Sequence, residues 1–243
     1  MKGICLLPLI PCRAEPNDRS EMVNQLLYGE KYVQIDEEEK WVQIRSVEDE
    51  YVSWISRNQF SQDHNDDERP HIINRLFVKA KSPSACLYLP AGSTVEQVNF
   101  TRLGEQSFAF DKAITSSVHK DLIPLALSFL NTPYLWGGKS FFGIDCSGFC
   151  QVVFKIIGIS LKRDAFQQAD QGNLISFGEH KEGDLAFFSN KNGKIIHVGL
   201  LLKENQIIHA SGKVRIDIFD EEGITHSESG ARTHQLFSIK RYF

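Results

Sequence analysis

The sequence predicts an α+β chain in which two small β-barrels precede a larger domain. Three observations carry the prediction. The first sixty positions hold short segments in which apolar and polar residues alternate. A polar, acidic link at residues 62–69 (QDHNDDER) separates them from a second β-rich stretch. From residue 121 the pattern turns helical, and after Asp184 it returns to strands. Helices followed by strands, rather than a regular alternation of the two, mark the α+β class. The expected units are 1–61, 62–118 and 119–243.

The elements follow in order. Residues 1–12 (MKGICLLPLIPC) read as an opening strand and a turn. A lipoprotein-type leader competes with this. Its apolar run of about ten residues is near the lower limit for a signal, and Pro8 and Pro11 interrupt it. Residues 13–25 read as a long polar loop, and such loops are often functional. Residues 31–36 (KYVQID) and 40–45 (KWVQIR) alternate as half-buried strands do, and 51–56 (YVSWIS) is a third β-rich run. In the second stretch, 76–81, 94–99 and 107–110 suggest strands, with Pro90-Ala91-Gly92 as a turn. Residues 122–130 suit a buried helix ended by Asn131-Thr132-Pro133. Phe149, Val152, Val153, Ile156 and Ile157 have helical spacing, closed by Gly158. Strands are then expected at 185–188, 194–202, 206–210 and 213–219.

Composition narrows the function classes. A chain of 243 residues buries a core without disulfide staples. A net charge of −4 argues against a nucleic-acid partner. No stretch approaches the roughly 20 apolar residues of a membrane span. Five cysteines, an odd number, suit a reducing compartment. A cytoplasmic location is therefore expected.

Candidate chemistry begins at Gly143-Ile144-Asp145-Cys146-Ser147-Gly148-Phe149. Asp145 suits an N-cap, which puts Cys146 in the first turn of the helix. Free N–H groups and the helix dipole favour an anion there, so a lowered thiol pKa is expected. The bland alternative is an inert buried cysteine. A thiol nucleophile needs a base, and the base needs an orienting partner. His197 lies in residues 194–202 (KIIHVGLLL) and His209 in 207–211 (IIHAS), each a polar position in an apolar strand. Side chains alternate along a strand, so the two share a face only if paired residue numbers add to an even value. A total of 408 sets His209 opposite Gly199 and diagonal to His197, within reach of a ring-to-ring hydrogen bond. The turn leaves that register open. His64, His71, His119, His180, His226 and His234 fall in polar or boundary contexts and are assigned to the surface. A zinc site from Cys146, Cys150, His197 and His209 is the rival, but a spacing of four is not the usual cysteine knuckle. Cys150 more simply fills the apolar face beside Val153. No metal or cofactor is expected.

These residues carry a resemblance. Asp145-Cys146-Ser147-Gly148-Phe149, Gly183-Asp184-Leu185-Ala186-Phe187-Phe188, His197-Val198-Gly199 and Ile208-His209-Ala210 resemble the NlpC-type cysteine peptidases, which have a reduced papain-like fold and cleave cell-wall peptides. Pro133-Tyr134-Leu135-Trp136-Gly137-Gly138 matches the segment before the nucleophile in that family. Arg13-Ala14-Glu15-Pro16, Trp41 and residues 51–55 resemble bacterial SH3-like domains. The combination is similar to γ-D-glutamyl-L-diamino acid endopeptidases. It implies a papain-like domain preceded by two SH3-like barrels, the second divergent.

The resemblance also implies roles. Cys146 would attack the carbonyl after γ-D-Glu, His197 would be the base, and His209 would orient it. The Cys146 backbone N–H would help to hold the oxyanion. Tyr134, Asp145 and Ser147 would read the substrate, Asp145 through the ammonium of a free N-terminal L-Ala. Tyr51 of the first barrel would close the pocket, while Trp54 belongs to the barrel core. The implied partner is a murein-derived peptide and the implied role is recycling. One departure stands out. Family members usually carry a serine where this chain has Ala165, after Lys162-Arg163-Asp164, and losing that hydroxyl removes one hydrogen bond to the amine. Two rivals remain: a wall-binding protein with a vestigial papain-like domain, and a Cys-His amidase or acyltransferase.

Overall fold

The computed structural model of the chain describes residues 1–63, 68–103, 106–114 and 122–243. Its first unit has six antiparallel strands: β1 (Lys2–Ile4), β2 (Leu9–Arg13), β3 (Met22–Leu27), β4 (Lys31–Glu37), β5 (Trp41–Ser46) and β6 (Val52–Ser56). Their order is β1-β4-β5-β6-β2-β3. Cys5, Ile10, Cys12, Leu26, Tyr32, Val42, Ile44 and Ile55 form its core, and Trp54 is buried. Two expectations are corrected. Residues 1–12 hold two strands rather than one. The loop expected to run to Gln25 ends earlier, because Met22 starts β3. Asn24 and Gln25 are buried polar residues. They face hydrogen-bond partners in another unit, so β3 lacks the polar-out alternation that marks a strand.

The second unit has two sheets. β7 (His71–Ile72) pairs with β10 (Thr94–Val95). β8 (Phe77–Lys81), β9 (Cys86–Pro90), β11 (Phe100–Leu103) and β12 (Gln106–Phe110) are ordered β11-β12-β8-β9. The segment expected at 94–99 shrinks to two residues, and β9 and β11 appear where no strand was expected. The exposed Cys86 and Tyr88 hide the pattern of β9. Its core includes Tyr28, Val78, Leu89 and Phe108. Tyr28 comes from the chain just after β3, so it belongs by sequence to the first unit and by packing to the second. Its hydroxyl donates to the Arg102 carbonyl at 2.7 Å.

The third unit contains α1 (Leu122–Ser128), the short ladder β13 (Lys139–Ser140) and β14 (Gly143–Ile144), α2 (Cys146–Ile156) and α3 (Ala165–Ala169). A sheet follows: β15 (Asn173–Ile175), β16 (Leu185–Ser189), β17 (Ile195–Leu201), β18 (Gln206–Ser211), β19 (Lys213–Asp220), β20 (Gly223–Thr225) and β21 (Arg232–Arg241). The order is β15-β21-β16-β17-β18-β19-β20, and β20 also pairs with β21. Six strands, β16 to β21, therefore close on themselves. Closure depends on Gly223, whose φ is 133°. A Cβ there would lie 1.9 Å from the His234 carbonyl oxygen, so only glycine allows this approach.

Outside the barrel, Phe149, Val152 and Val153 of α2 pack with Val198, Leu200, Ile208 and Ala210. Inside it lie Ala186, Phe188, Leu201, Ile207, Phe219, Ile224 and Ile239. The inward register also takes in His197, His209, Arg215, Asp217 and His234, a polar layer above the apolar floor. His197 pairs with Phe188, His209 with Arg215, Ile207 with Asp217, and Ile224 with His234.

Candidate active site

α2 starts at Cys146 because Asp145 caps it. Asp145 is extended (φ −93°, ψ 177°) and its Oδ1 accepts the Gly148 N–H at 2.6 Å. Glycine is required at 148 because a Cβ would meet the Gly138 carbonyl oxygen at 2.3 Å. The thiol of Cys146 is buried. Burial pushes it up to about 12, and the Asp145 carboxylate adds to the rise. Backbone hydrogen bonds at Val198 and Ser147 and the Arg163 charge oppose it. The direction is opposite to the lowering expected at a helix start, with burial the largest influence.

The β17–β18 register pairs Leu200 with Ile208 and Leu201 with Ile207. Paired numbers add to 408, the register that brings the histidines together. His197 Nε2 lies 2.8 Å from His209 Nδ1. Sequence reasoning missed the next link, Asp217 Oδ2, 3.1 Å from His209 Nε2. Asp217 also accepts the Ser227 N–H at 2.9 Å and pairs with Arg215 at 3.0 Å. Burial pushes the Asp217 carboxyl up, but hydrogen bonds from His209, Ser227 and Arg215 prevail and hold it well below the usual carboxylate range.

An ionised Asp217 fixes the tautomers along the chain. It accepts His209 Nε2–H, which leaves His209 Nδ1 as an acceptor. His209 Nδ1 then accepts His197 Nε2–H, which leaves His197 Nδ1 as a bare lone pair. Burial holds the His197 pKa well below its ordinary value, with His209 and His234 adding to the effect. A neutral thiol and a neutral imidazole are the resting forms.

Asp145 has a different task from the expected one. Oδ1 accepts from Gly148 N at 2.6 Å, Ser147 Oγ at 3.3 Å and Arg163 Nη1 at 3.1 Å. Oδ2 accepts from Gly137 N at 2.8 Å and Arg163 Nη2 at 2.5 Å. The carboxylate is buried and saturated, so no lone pair remains for a substrate ammonium. Ser147 is drawn into the same cluster, with Arg163 Nη1 donating to its Oγ at 2.9 Å. Arg163 Nε donates to Asn24 Oδ1 of β3 at 2.9 Å. The first barrel thereby reaches the support of the helix that carries Cys146.

A cavity of about 440 Å³ opens over Cys146. Glu21 and Tyr51 of the first unit line it, together with Asp145, Ser147, Asp164 and Ala165. Burial raises the Asp164 carboxyl above its usual range, and Asp145, Asp49 and Glu21 add to the rise against Arg163. Tyr134 is half-buried beside Cys146 and Asp145. Burial raises its phenol, followed by those two groups. Glu21 escaped notice in the sequence because it sits in a polar loop with nothing to single it out.

His234 is corrected as well. Its ring stacks on His197 at 4.2 Å rather than facing solvent. His180 packs against Phe177 and Phe219 and is half-buried. His71 and His226 are also half-buried. His64 and His119 lie outside the described residues.

The NlpC/P60 family profile matches residues 131–233, and that of the bacterial dipeptidyl-peptidase Sh3 domain matches residues 12–60. A γ-D-glutamyl-L-lysine dipeptidyl-peptidase of Bacillus subtilis is 32% identical over 216 residues, covering 76% of this chain and 71% of its own. The chain belongs to the NlpC/P60 family. Dipeptidyl-peptidase 6 of Lysinibacillus sphaericus is 26% identical to this NlpC/P60 chain over 270 residues, covering 96% of it and 97% of its own length. The crystal structure of an NlpC/P60 protein from Bacillus cereus shares the fold, with a TM-score of 0.84 at 18% identity over 100% of this chain and 99% of the other. As an NlpC/P60 member, the protein is a cysteine peptidase.

Proposed function

We propose that this cysteine peptidase hydrolyses the γ-D-Glu–diamino acid bond of short murein peptides with a free N-terminal L-Ala. The observation that carries this is the pair of carboxylates, Glu21 and Asp164, lining one cavity with Cys146 and Tyr51. A peptide ammonium between two carboxylates relieves their mutual repulsion. This assigns the ammonium to Glu21 and Asp164 rather than Asp145. Ala165 lines the same cavity and offers no hydroxyl.

In this reading Cys146 Sγ attacks the γ-carbonyl carbon. His197 Nδ1 takes the thiol proton and returns it to the leaving amine. His209 holds the His197 ring, and Asp217 stabilises the charge that passes along the two rings. The Cys146 N–H at the helix start donates to the oxyanion. Water then cleaves the thioester and releases L-Ala-γ-D-Glu. A wall contributed by the first barrel admits short free peptides and excludes glycan-linked stems. That suits recycling in a reducing cytoplasm. The second β unit, over residues 62–118, is read as a divergent SH3-like repeat.

The test is mass spectrometry after incubation with L-Ala-γ-D-Glu-L-Lys, its meso-diaminopimelate counterpart and an N-acetylated control. The expected result is L-Ala-γ-D-Glu from the free peptides, none from the acetylated one, and none with Cys146→Ala. Equal cleavage of the acetylated peptide would overturn the ammonium reading.

A further inference from the structure

The polar layer of the barrel holds one histidine more than the reaction uses. His197 Nε2 is tied to His209, but a single hydrogen bond leaves an imidazole free to rock about that bond, and its χ2 well is broad. Something must hold the ring face. His234, on β21, does so from across β16. Its ring lies 4.2 Å from that of His197 with an interplanar angle of 24°. The Phe188 ring flanks both at 5.9 Å. His234 is itself anchored, with Nδ1 2.9 Å from Thr233 Oγ1. Its backbone is pinned where β21 meets Gly223, at the closure of the barrel.

We propose that His234 is a positioning residue for the base: its stacked ring fixes the face of His197, and its charge on the acid side opposes protonation of that ring, which keeps the base available to lower pH. The inference rests on the proposed role of His197 as the base. A neutral His234 leaves His197 free to take the thiol proton. A protonated His234 puts a positive charge against the same ring and opposes its protonation by solvent as the pH falls.

Among the described residues, the charged and titratable groups around the pair are few. β18 contributes His209, β19 contributes Asp217 and the Arg215 paired with it, and α2 brings Cys146 against Val198, the neighbour of His197. β16 and β20 contribute Phe188 and Ile224, which do not titrate. Burial, with His209, lowers the His234 pKa to about 4, and Asp217 opposes the shift. His234 is therefore neutral at ordinary working pH and titrates on the acid side.

Two variants separate stacking from charge. His234→Phe keeps a flat ring but cannot take a proton. Its plateau kcat is expected within about threefold of wild type. Its acid limb moves to higher pH, because the charge that opposed protonation of His197 is gone. His234→Ala loses the stack, and its plateau kcat falls about 10- to 100-fold with KM little changed. An unmoved acid limb in His234→Phe, or an unchanged plateau in His234→Ala, would overturn the proposal. The imidazole ¹⁵N titration of His197, compared between wild type and His234→Phe, needs no substrate. It must show a higher His197 pKa in the variant even if the chosen peptide is not cleaved. Failure of the substrate reading and failure of the His234 reading thus give different results. Should His234→Ala not fold, the His234→Phe profile and titration decide alone.

Discussion

Gly199 lies directly across the β17–β18 ladder from His209, where a Cβ would come 2.9 Å from the His209 Cβ. The side chain that residue 199 lacks is the space through which the His209 ring reaches His197. Gly199→Ala is expected to push His209 away and lower kcat about 100-fold, since small misplacements of this kind cost that much. Substrate binding changes little, because Glu21 and Tyr51 are untouched. Steady-state kinetics check this: a loss in KM alone would contradict the geometry.

Asp217 sets the tautomers of both histidines. Asp217→Asn keeps the size but can donate to His209 Nε2, which reverses every donor and acceptor along the chain. The expected loss in kcat is on the order of 10³–10⁴ with KM preserved, by analogy with the buried aspartate of serine protease triads. Near-normal kcat would show that His209 needs no carboxylate.

The thiol gives a distinctive pH signature. With its pKa pushed up to about 12, Cys146 is protonated throughout the neutral range. Its alkylation by iodoacetamide should keep accelerating as pH rises through 9 and 10, without a plateau near neutrality. A plateau between pH 5 and 7 would instead reveal a stable thiolate–imidazolium pair.

Arg163 neutralises a buried carboxylate. Arg163→Met leaves Asp145 charged and unpaired, at a cost of about 3–5 kcal/mol. Asn24→Ala strands only one buried donor, at about 1–3 kcal/mol. Denaturant unfolding should rank them in that order, and both should lower activity because both act on the helix that presents Cys146.

Much of this was legible in the sequence. Asp145 as the cap and Cys146 at the helix start follow from spacing; the shared face of His197 and His209 was one of two registers the turn allowed, and the ladder selects it. Asp217 did not, for a definite reason. In β19 the apolar set Val214, Ile216 and Ile218 suggests the buried face, but the closed barrel turns Arg215, Asp217 and Phe219 inward instead. His234 was missed because it lies at the start of a strand whose neighbours are polar. Asn24 and Gln25 were hidden because their partners, Arg163 and Lys139, lie more than a hundred positions away, and local pattern carries no trace of them.

Between the first unit and α2 lies a buried charge cluster. Glu30 Oε1 sits 2.7 Å from Lys155 Nζ and 3.2 Å from Lys139 Nζ. Burial pushes the Glu30 carboxyl up, but the two lysines outweigh it and hold it below the usual range. A depressed carboxyl contributes stability above its unfolded pKa, near 4.3, and loses it as pH falls further. Acid should therefore separate the two units before it melts the apolar cores, seen as an early change in thermal unfolding below about pH 4. The same cluster limits exchange of parts. A foreign SH3-like barrel grafted onto this peptidase would strand two lysines at the seam. The two units are consequently expected to be inherited and engineered as a pair, with the wall and the nucleophile changing together.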